Sequence, residues 1–428
     1  LDIEGAKRGD SVSRSCQGQE RTGPSFLSVY ENRMVLVLAA AGGVAALDAQ
    51  AVFYLMPFIA DEFSLSGGEV GFIGSAVLIG WALGGLVIAR ASDRAGVRLP
   101  FLIGAFLCFA LLSGLSAAAV GFFSLLIARL LIGVAEGPVI PVKQALVICE
   151  STPSRRALNM GIVQNFGAQL IGSLLAPIAL VALAEAAGWR WAFLTAGLPG
   201  LLIAILIWRV LREPPRAAAA DKAEVSGDRW QDLVANRNIV LCALIALAAV
   251  GWFFILLTFL PLYLTRDLHV SASVMSVIMG VIGLAGVTSS LIVPYFADRF
   301  GRRMAIIAFS ALGLLAPVGV LLAGSSMITV VLVLVCGCQM LGIFPLLMGT
   351  VPQESTSPAN GATASSLVIA VAQIGGGAAG PMAAGWLAEQ SGNSAALVLS
   401  GILAVCALTL APFLTESRPG HGGALPTA

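Results

Sequence analysis

The chain has 428 residues, of which 58% are hydrophobic and only 11% charged, and its mean hydropathy is +0.93. A soluble globular domain carries about 25% charged residues, so an ordinary water-soluble fold is excluded and lipid must be the main solvent. At a formal net charge of +1 no nucleic-acid partner is expected.

Residues 1–33 are polar, with five basic and five acidic side chains. They lack an apolar core followed by a small-residue cleavage site, so they read as a cytoplasmic tail and not as a signal peptide. Apolar runs of about 20 residues, each able to cross a hydrocarbon core of about 30 Å, then recur to near Leu414. Between polar punctuation they give spans near 34–60, 68–89, 99–117, 121–147, 157–184, 191–209, 238–264, 271–297, 304–323, 326–351, 359–388 and 393–414. The expected fold class is therefore an all-α membrane protein of twelve transmembrane helices in two pseudo-symmetric six-helix bundles. Its bundles are residues 34–211 and 238–415, joined by a hydrophilic linker at 212–237 and closed by a tail at 416–428. Basic residues crowd the tail, the loop after the second span and the linker, whereas Arg190 and Arg266 alone fall on the other face. The positive-inside rule then puts both termini and the linker in the cytoplasm, and the compact loops suit a bacterial inner membrane.

In the first span Asp48 lies near the bilayer midplane, followed by Gln50 and Tyr54. The fourth span carries Arg129, Glu136 and Lys143, spaced by seven, and seven residues at 100° each return to within about 20° of one face. Each charge costs about 2.5 to 3.5 kcal/mol at a lipid-exposed helix centre, so Asp48, Arg129 and Glu136 are expected to face a cavity and to partner one another. A midplane carboxylate can load a proton on one side and lose it on the other, whereas an arginine cannot titrate. Asp48 and Glu136 are accordingly the proton-coupling candidates, and Arg129 the group that fixes an anion or couples the acids; a purely structural ion pair is the competing reading. Pro138 and Pro141 are expected to bend the helix below Glu136. Further candidates for lining a substrate cavity are Gln50, Tyr54, Gln164, Asn165, Trp252, Gln339 and Gln373, each of which could equally tie helices together. The pair Cys336 and Cys338 has no histidine nearby, so no metal is expected, and no cofactor.

The halves echo each other. Asp93, Arg94, Gly96 and Arg98 reappear as Asp298, Arg299, Gly301 and Arg303, each 205 positions later, and Pro57 reappears as Pro261, 204 positions on. Same orientation and same offset imply a parallel repeat about an axis along the membrane normal. The D-R-x-G-x-R pattern after the second span, with its copy after the eighth, resembles the signature loop of the major facilitator superfamily. That resemblance implies a gate built on these eight residues, made in one conformation and broken in the other. RLLIGVAEGP, through Arg129, Gly133, Glu136 and Gly137, resembles the fourth-span pattern of the anion:cation symporter family, in which the arginine and glutamate handle substrate and proton. LDAQAVFYLMPFIA is instead similar to the first span of aromatic acid:proton symporters, with Asp48, Gln50 and Ala51 matching and Ala45 standing where an acid is usual.

These resemblances imply a monomeric secondary transporter, and not an enzyme: neither H-E-x-x-H nor G-x-S-x-G is present. The expected function is import of a small organic anion, a sugar acid or an aromatic acid, by proton symport through alternating access. The alternative is a proton-coupled drug exporter of the same fold. Exporters typically carry G-x-x-x-G-P-x-x-G-G on the fifth span, and here Gly167 and Gly172 are five apart with Pro177 displaced.

Overall fold

The computed structural model describes residues 24–152, 155–213, 235–324, 326–356 and 361–417. Among them are 12 helices long and apolar enough to cross a membrane. The first six are Tyr30–Glu62, Gly67–Gly85, Leu99–Ala117, Phe122–Val147, Asn159–Ala187 and Trp189–Val210. The second six are Arg237–Asp267, Ala272–Phe300, Arg302–Ala323, Met327–Glu354, Ala364–Ser391 and Asn393–Phe413. The expected linker lies almost wholly outside the described residues.

The repeat read from the sequence is also a repeat of backbone shape. Gly96 and Gly301 turn the chain into the third and ninth spans with φ of 65° and 97°, and Gly188 and Gly392 do so before the sixth and twelfth with φ of 93° and 83°. An L-residue is strained there, so the glycines set how tightly these loops can close.

Several spans depart from regular helix where the sequence places proline or glycine. The fourth stops at Glu136 and restarts at Val139, with Gly137 and Pro138 between, because Pro138 has no N–H to donate to the preceding turn. The tenth tightens into a 3-10 stretch at Cys338–Ile343. The fifth widens into π-helical turns at Ile162–Phe166 and Ala168–Leu175, and the eleventh at Ala372–Ala378; such turns recur at functional sites.

The apolar core is divided unequally along the membrane normal. Away from the termini, Ala51 to Ile73, Leu125 and Ala176 to Ala196 join the whole second half in one cluster. Near the termini, Met34 to Ala45, Leu99 to Phe109, Val139 to Val147 and Ile203 to Leu211 form a cluster of the first half alone. The halves are thus fused on the side opposite the termini. There a Cβ on Gly71 would stand 2.4 Å from the Pro381 carbonyl, and one on Gly283 would stand 2.3 Å from the Ser173 backbone. Polar ties on the same side are Ser75 to the Ala378 carbonyl at 2.6 Å, Arg266 to Asp61 at 2.5 Å and Ser273 to Glu185 at 2.6 Å.

Candidate functional site

The first and fourth spans bring Asp48 and Arg129 together with no exposed surface on either. The Asp48 Oδ2 lies 3.8 Å from Arg129 Nη1, which also donates to the Asp48 backbone carbonyl at 3.3 Å. Arg129 Nη2 donates to the Ser116 hydroxyl, and the guanidinium sits 4.6 Å over the Phe193 ring. Ser113 stands 2.5 Å from Asp48 Oδ1 and 2.9 Å from the Phe193 carbonyl. A buried pair is held only when further hydrogen bonds satisfy its remaining atoms; the third span supplies them in part, through Ser113 and Ser116, while Asp48 Oδ2 and Arg129 Nε are left without one.

The expectation that all three charges partner one another holds for Asp48 and Arg129 only. Glu136, 2% exposed, has Trp81 of the second span as its partner, through an indole N–H to Oε2 at 3.0 Å. Its Oε1 is buried without a hydrogen bond. Two turns of separation explain this: seven residues along a helix is about 10 Å, beyond the reach of Arg129 once that side chain has turned to Asp48.

The other candidates fall into two groups. Gln50 accepts the Tyr54 hydroxyl at 2.5 Å and the Ser173 hydroxyl at 3.1 Å, so the pair faces the fifth span and not lipid. Gln339 donates to Thr288 at 3.0 Å and keeps a buried, unpartnered Oε1; the Oε1 of Gln373 is also buried and unpartnered. Gln164 is half-buried in the first π-helical stretch, and the side chain of Asn165 lies outside the described residues. Trp252 belongs to packing: its indole donates to the Gly313 carbonyl at 3.1 Å, and Ser400 donates to its backbone carbonyl at 3.0 Å. It faces the ninth and twelfth spans, away from the charges of the first half. At the centre, Phe53 and Phe254 meet across the two halves at 6.3 Å.

In the signature loops two residues that the repeat did not flag cap the helices that follow. Glu213, after the sixth span, accepts from the backbone N–H of Arg98 at 2.6 Å and Leu99 at 2.8 Å. Glu416, after the twelfth, accepts from Arg302 at 2.9 Å and Arg303 at 3.2 Å. Each caps a helix N-terminus, where a carboxylate meets free N–H groups and the positive end of the helix dipole. Asp298 pairs with Arg302, which also lies 3.4 Å from Glu354. Arg94 and Arg303 are exposed, Arg299 stacks on Phe300 at 5.7 Å, and the side chain of Asp93 lies outside the described residues.

Residues 38–379 match the sequence profile of the Major Facilitator Superfamily. The chain belongs to that superfamily. A facilitator of this kind is a membrane transporter and not an enzyme. The hexuronate transporter of Bacillus subtilis (strain 168) is 31% identical over 395 residues, covering 87% of this chain and 92% of that one. The multidrug resistance protein MdtL of Klebsiella pneumoniae is 25% identical and covers 85% of this chain and 90% of that one. The fold is shared with a bacterial homologue of the human lysosomal transporter Spinster, at a TM-score of 0.74 and 18% identity over 90% of this chain and 97% of that one.

Proposed function

We propose that this facilitator imports a small organic carboxylate together with protons across a bacterial inner membrane, with both termini in the cytoplasm. The observation that carries the reading is the Asp48 cluster. Ser113 has a single hydroxyl proton, yet its oxygen lies within hydrogen-bond distance of two oxygens, Asp48 Oδ1 and the Phe193 carbonyl. Both contacts are hydrogen bonds when Asp48 carries a proton and donates it to Ser113, which then donates to the carbonyl. A carboxyl built to hold a proton in the middle of a membrane is what a proton symporter needs. The likeness to a hexuronate transporter supports a carboxylate as the cargo.

With the halves fused away from the termini, the conformation corresponds to the one open to the cytoplasm, and the D-R-x-G-x-R loops are the gate that remakes on the reverse swing. Asp48 and Glu136 exchange protons with the two sides in turn, while Arg129 couples Asp48 to the site. The driving force is ample, since each net charge moved across 100 mV contributes about 2.3 kcal/mol.

Uptake of a labelled hexuronate into proteoliposomes, with a proton gradient imposed in each direction, tests the proposal. Accumulation driven by a gradient pointing inward is expected. Accumulation driven by an outward gradient would instead establish antiport and the exporter reading that the likeness to MdtL favours.

A further inference from the structure

The repeat reaches the outer ends of the first and seventh spans, on the side opposite the termini where the halves are fused. Glu62 and Asp267 are 205 positions apart, and each accepts from the first turn of the last span of its own half. Glu62 takes the Trp189 indole and the Arg190 guanidinium, both at 2.6 Å, and Asp267 takes the Asn393 amide at 2.7 Å. Trp189 and Asn393 are themselves 204 apart, and each follows a glycine of positive φ, Gly188 or Gly392. The same brace is thus built twice, each time within one half.

The residue before each brace acts across the halves. Asp61 and Arg266 are also 205 apart, one more than Pro57 and Pro261, and the π-helical turn at Tyr263–Asp267 takes up the extra residue. They carry opposite charges and meet each other: Arg266 Nε and Nη2 both donate to Asp61 Oδ1, at 3.0 and 2.5 Å. By contrast, Asp48–Arg129 and Glu62–Arg190 lie wholly in the first half, and Arg302 pairs with Asp298 and Glu354 wholly in the second. Equivalent positions of the repeat lie on opposite sides of its axis at equal distance, so a pair between them stands on that axis, over the interface of the halves.

Arg190 keeps its partners however the halves move, because Glu62, the Ala119 carbonyl at 3.1 Å and the Trp189 ring at 4.2 Å all belong to its own half. Arg266 and Asp61 lose each other as soon as the halves part. Their side chains are 35% and 70% exposed, and an exposed pair contributes little unless its geometry is fixed; here the brace at the next residue fixes it. Such a pair biases an equilibrium without freezing it, as a transporter that visits two conformations requires.

We propose that Asp61 and Arg266 form an outer lock, which favours the conformation open on the side of the termini and must break before cargo enters from the other side. It is the counterpart, at the opposite face, of the gate in the D-R-x-G-x-R loops. The inference rests on the reading that the halves part on the two sides in turn.

The rate at which a water-soluble maleimide labels Phe53→Cys in the purified full chain tests it, with Cys16 and the exposed Cys108, Cys149, Cys336 and Cys406 replaced by alanine. Phe53 is 2% exposed and meets Phe254 of the other half, about 12 Å inward of Asp61 at 1.5 Å per residue, so a thiol there reacts only while the halves are apart above it. Leu257→Cys, at the equivalent point of the seventh span and also 2% exposed, serves where Phe53→Cys does not fold. Arg266→Gln and Asp61→Asn should each raise the rate about three- to fivefold, the upper range for one exposed ion pair, and together they should raise it no further. Arg266→Asp, which sets two carboxylates face to face, should raise it more, and adding Asp61→Arg should return it to within about 1.5-fold of the starting chain. A rate unchanged or lowered in Arg266→Gln, or no recovery in the exchanged pair, overturns the lock and leaves the alternate parting of the halves intact. No labelling in any variant overturns both.

Discussion

The fourth and tenth spans occupy equivalent places in the repeat and have been put to different uses. Adding 205 to Arg129, Glu136 and Lys143 gives Leu334, Leu341 and Met348, and both leucines are buried. What the two spans share is scaffolding. Gly137 and Gly342, also 205 apart, each bring their helix hard against the second span of its half: a Cβ would stand 2.3 Å from the Gly85 nitrogen in one case and 2.6 Å from the Ser289 carbonyl in the other. Both helices lose regularity at that level. The repeat therefore carries the shape of the two spans, and the buried charges are laid over the fourth only.

The largest effect should come from deleting the same side chain on each side of that comparison. Arg129→Ala strands Asp48 in the membrane, and breaking a buried pair in this way costs about 3 to 5 kcal/mol. Leu334→Ala leaves only a cavity, at about 2 to 5 kcal/mol. Thermal unfolding should show comparable losses for the two variants. Proton-driven uptake, normalised to folded protein, should fall to background in Arg129→Ala and stay within about threefold of wild type in Leu334→Ala. Equal uptake in both would dissolve the distinction between the halves.

A selective loss is expected next. Asp48→Asn and Glu136→Gln keep size and hydrogen bonding but cannot cycle a proton, so gradient-driven accumulation should vanish while exchange of substrate across the membrane continues. Leu341→Glu combined with Glu136→Gln, which moves the acid to the other half, should not restore accumulation, because the eighth span has Gly286 where the second has Trp81. Restoration would show that height in the membrane, and not the surroundings of the first half, determines the role of Glu136. Trp81→Phe should then have a milder effect. Removing the indole donor from Glu136 Oε2 forfeits one hydrogen bond to a carboxylate, about 1.5 to 3 kcal/mol, and uptake at fixed gradient should drop about tenfold with exchange little changed.

The twelve helices and their pairing into halves were legible because hydropathy, basic-residue asymmetry and a long repeat are properties of the chain itself. The meeting of Asp48 with Arg129 was legible only as one of the pairings expected among three buried charges. Glu136 and Trp81 were not, because an indole N–H in a membrane helix looks like any packing aromatic until the neighbouring span is placed. Ser113 and Ser116 were hidden for a similar reason: Ser116 also lies 3.1 Å from the Leu112 carbonyl of its own helix, the ordinary way such residues are satisfied. Trp252 misled in the opposite sense, its indole being used within the second half. Glu213 and Glu416 did carry a signal, since both follow the last span of their half by three residues at a separation of 203, but a carboxylate in a charged loop does not stand out until the amides it caps are located.

The smallest effect should come from those caps, where the asymmetry between halves is reversed. Glu213 holds the amides of Arg98 and Leu99, and the loop of the first half has Val97 where the second has Arg302. On the other side Arg302 binds Asp298 and Glu354, and Ser417 binds Glu354 at 2.6 Å, so the turn stays fastened when the cap is weakened. Glu213→Gln should therefore slow transport more than Glu416→Gln, by about two- to fivefold, the range expected for one charge at a helix N-terminus. Raising the salt concentration should shrink the difference, because these loops lie within reach of screening ions. Equal effects from the two variants would mean that the additional charges around Arg302 do not strengthen the gate, leaving the second half with apolar packing alone to set against the charges of the first.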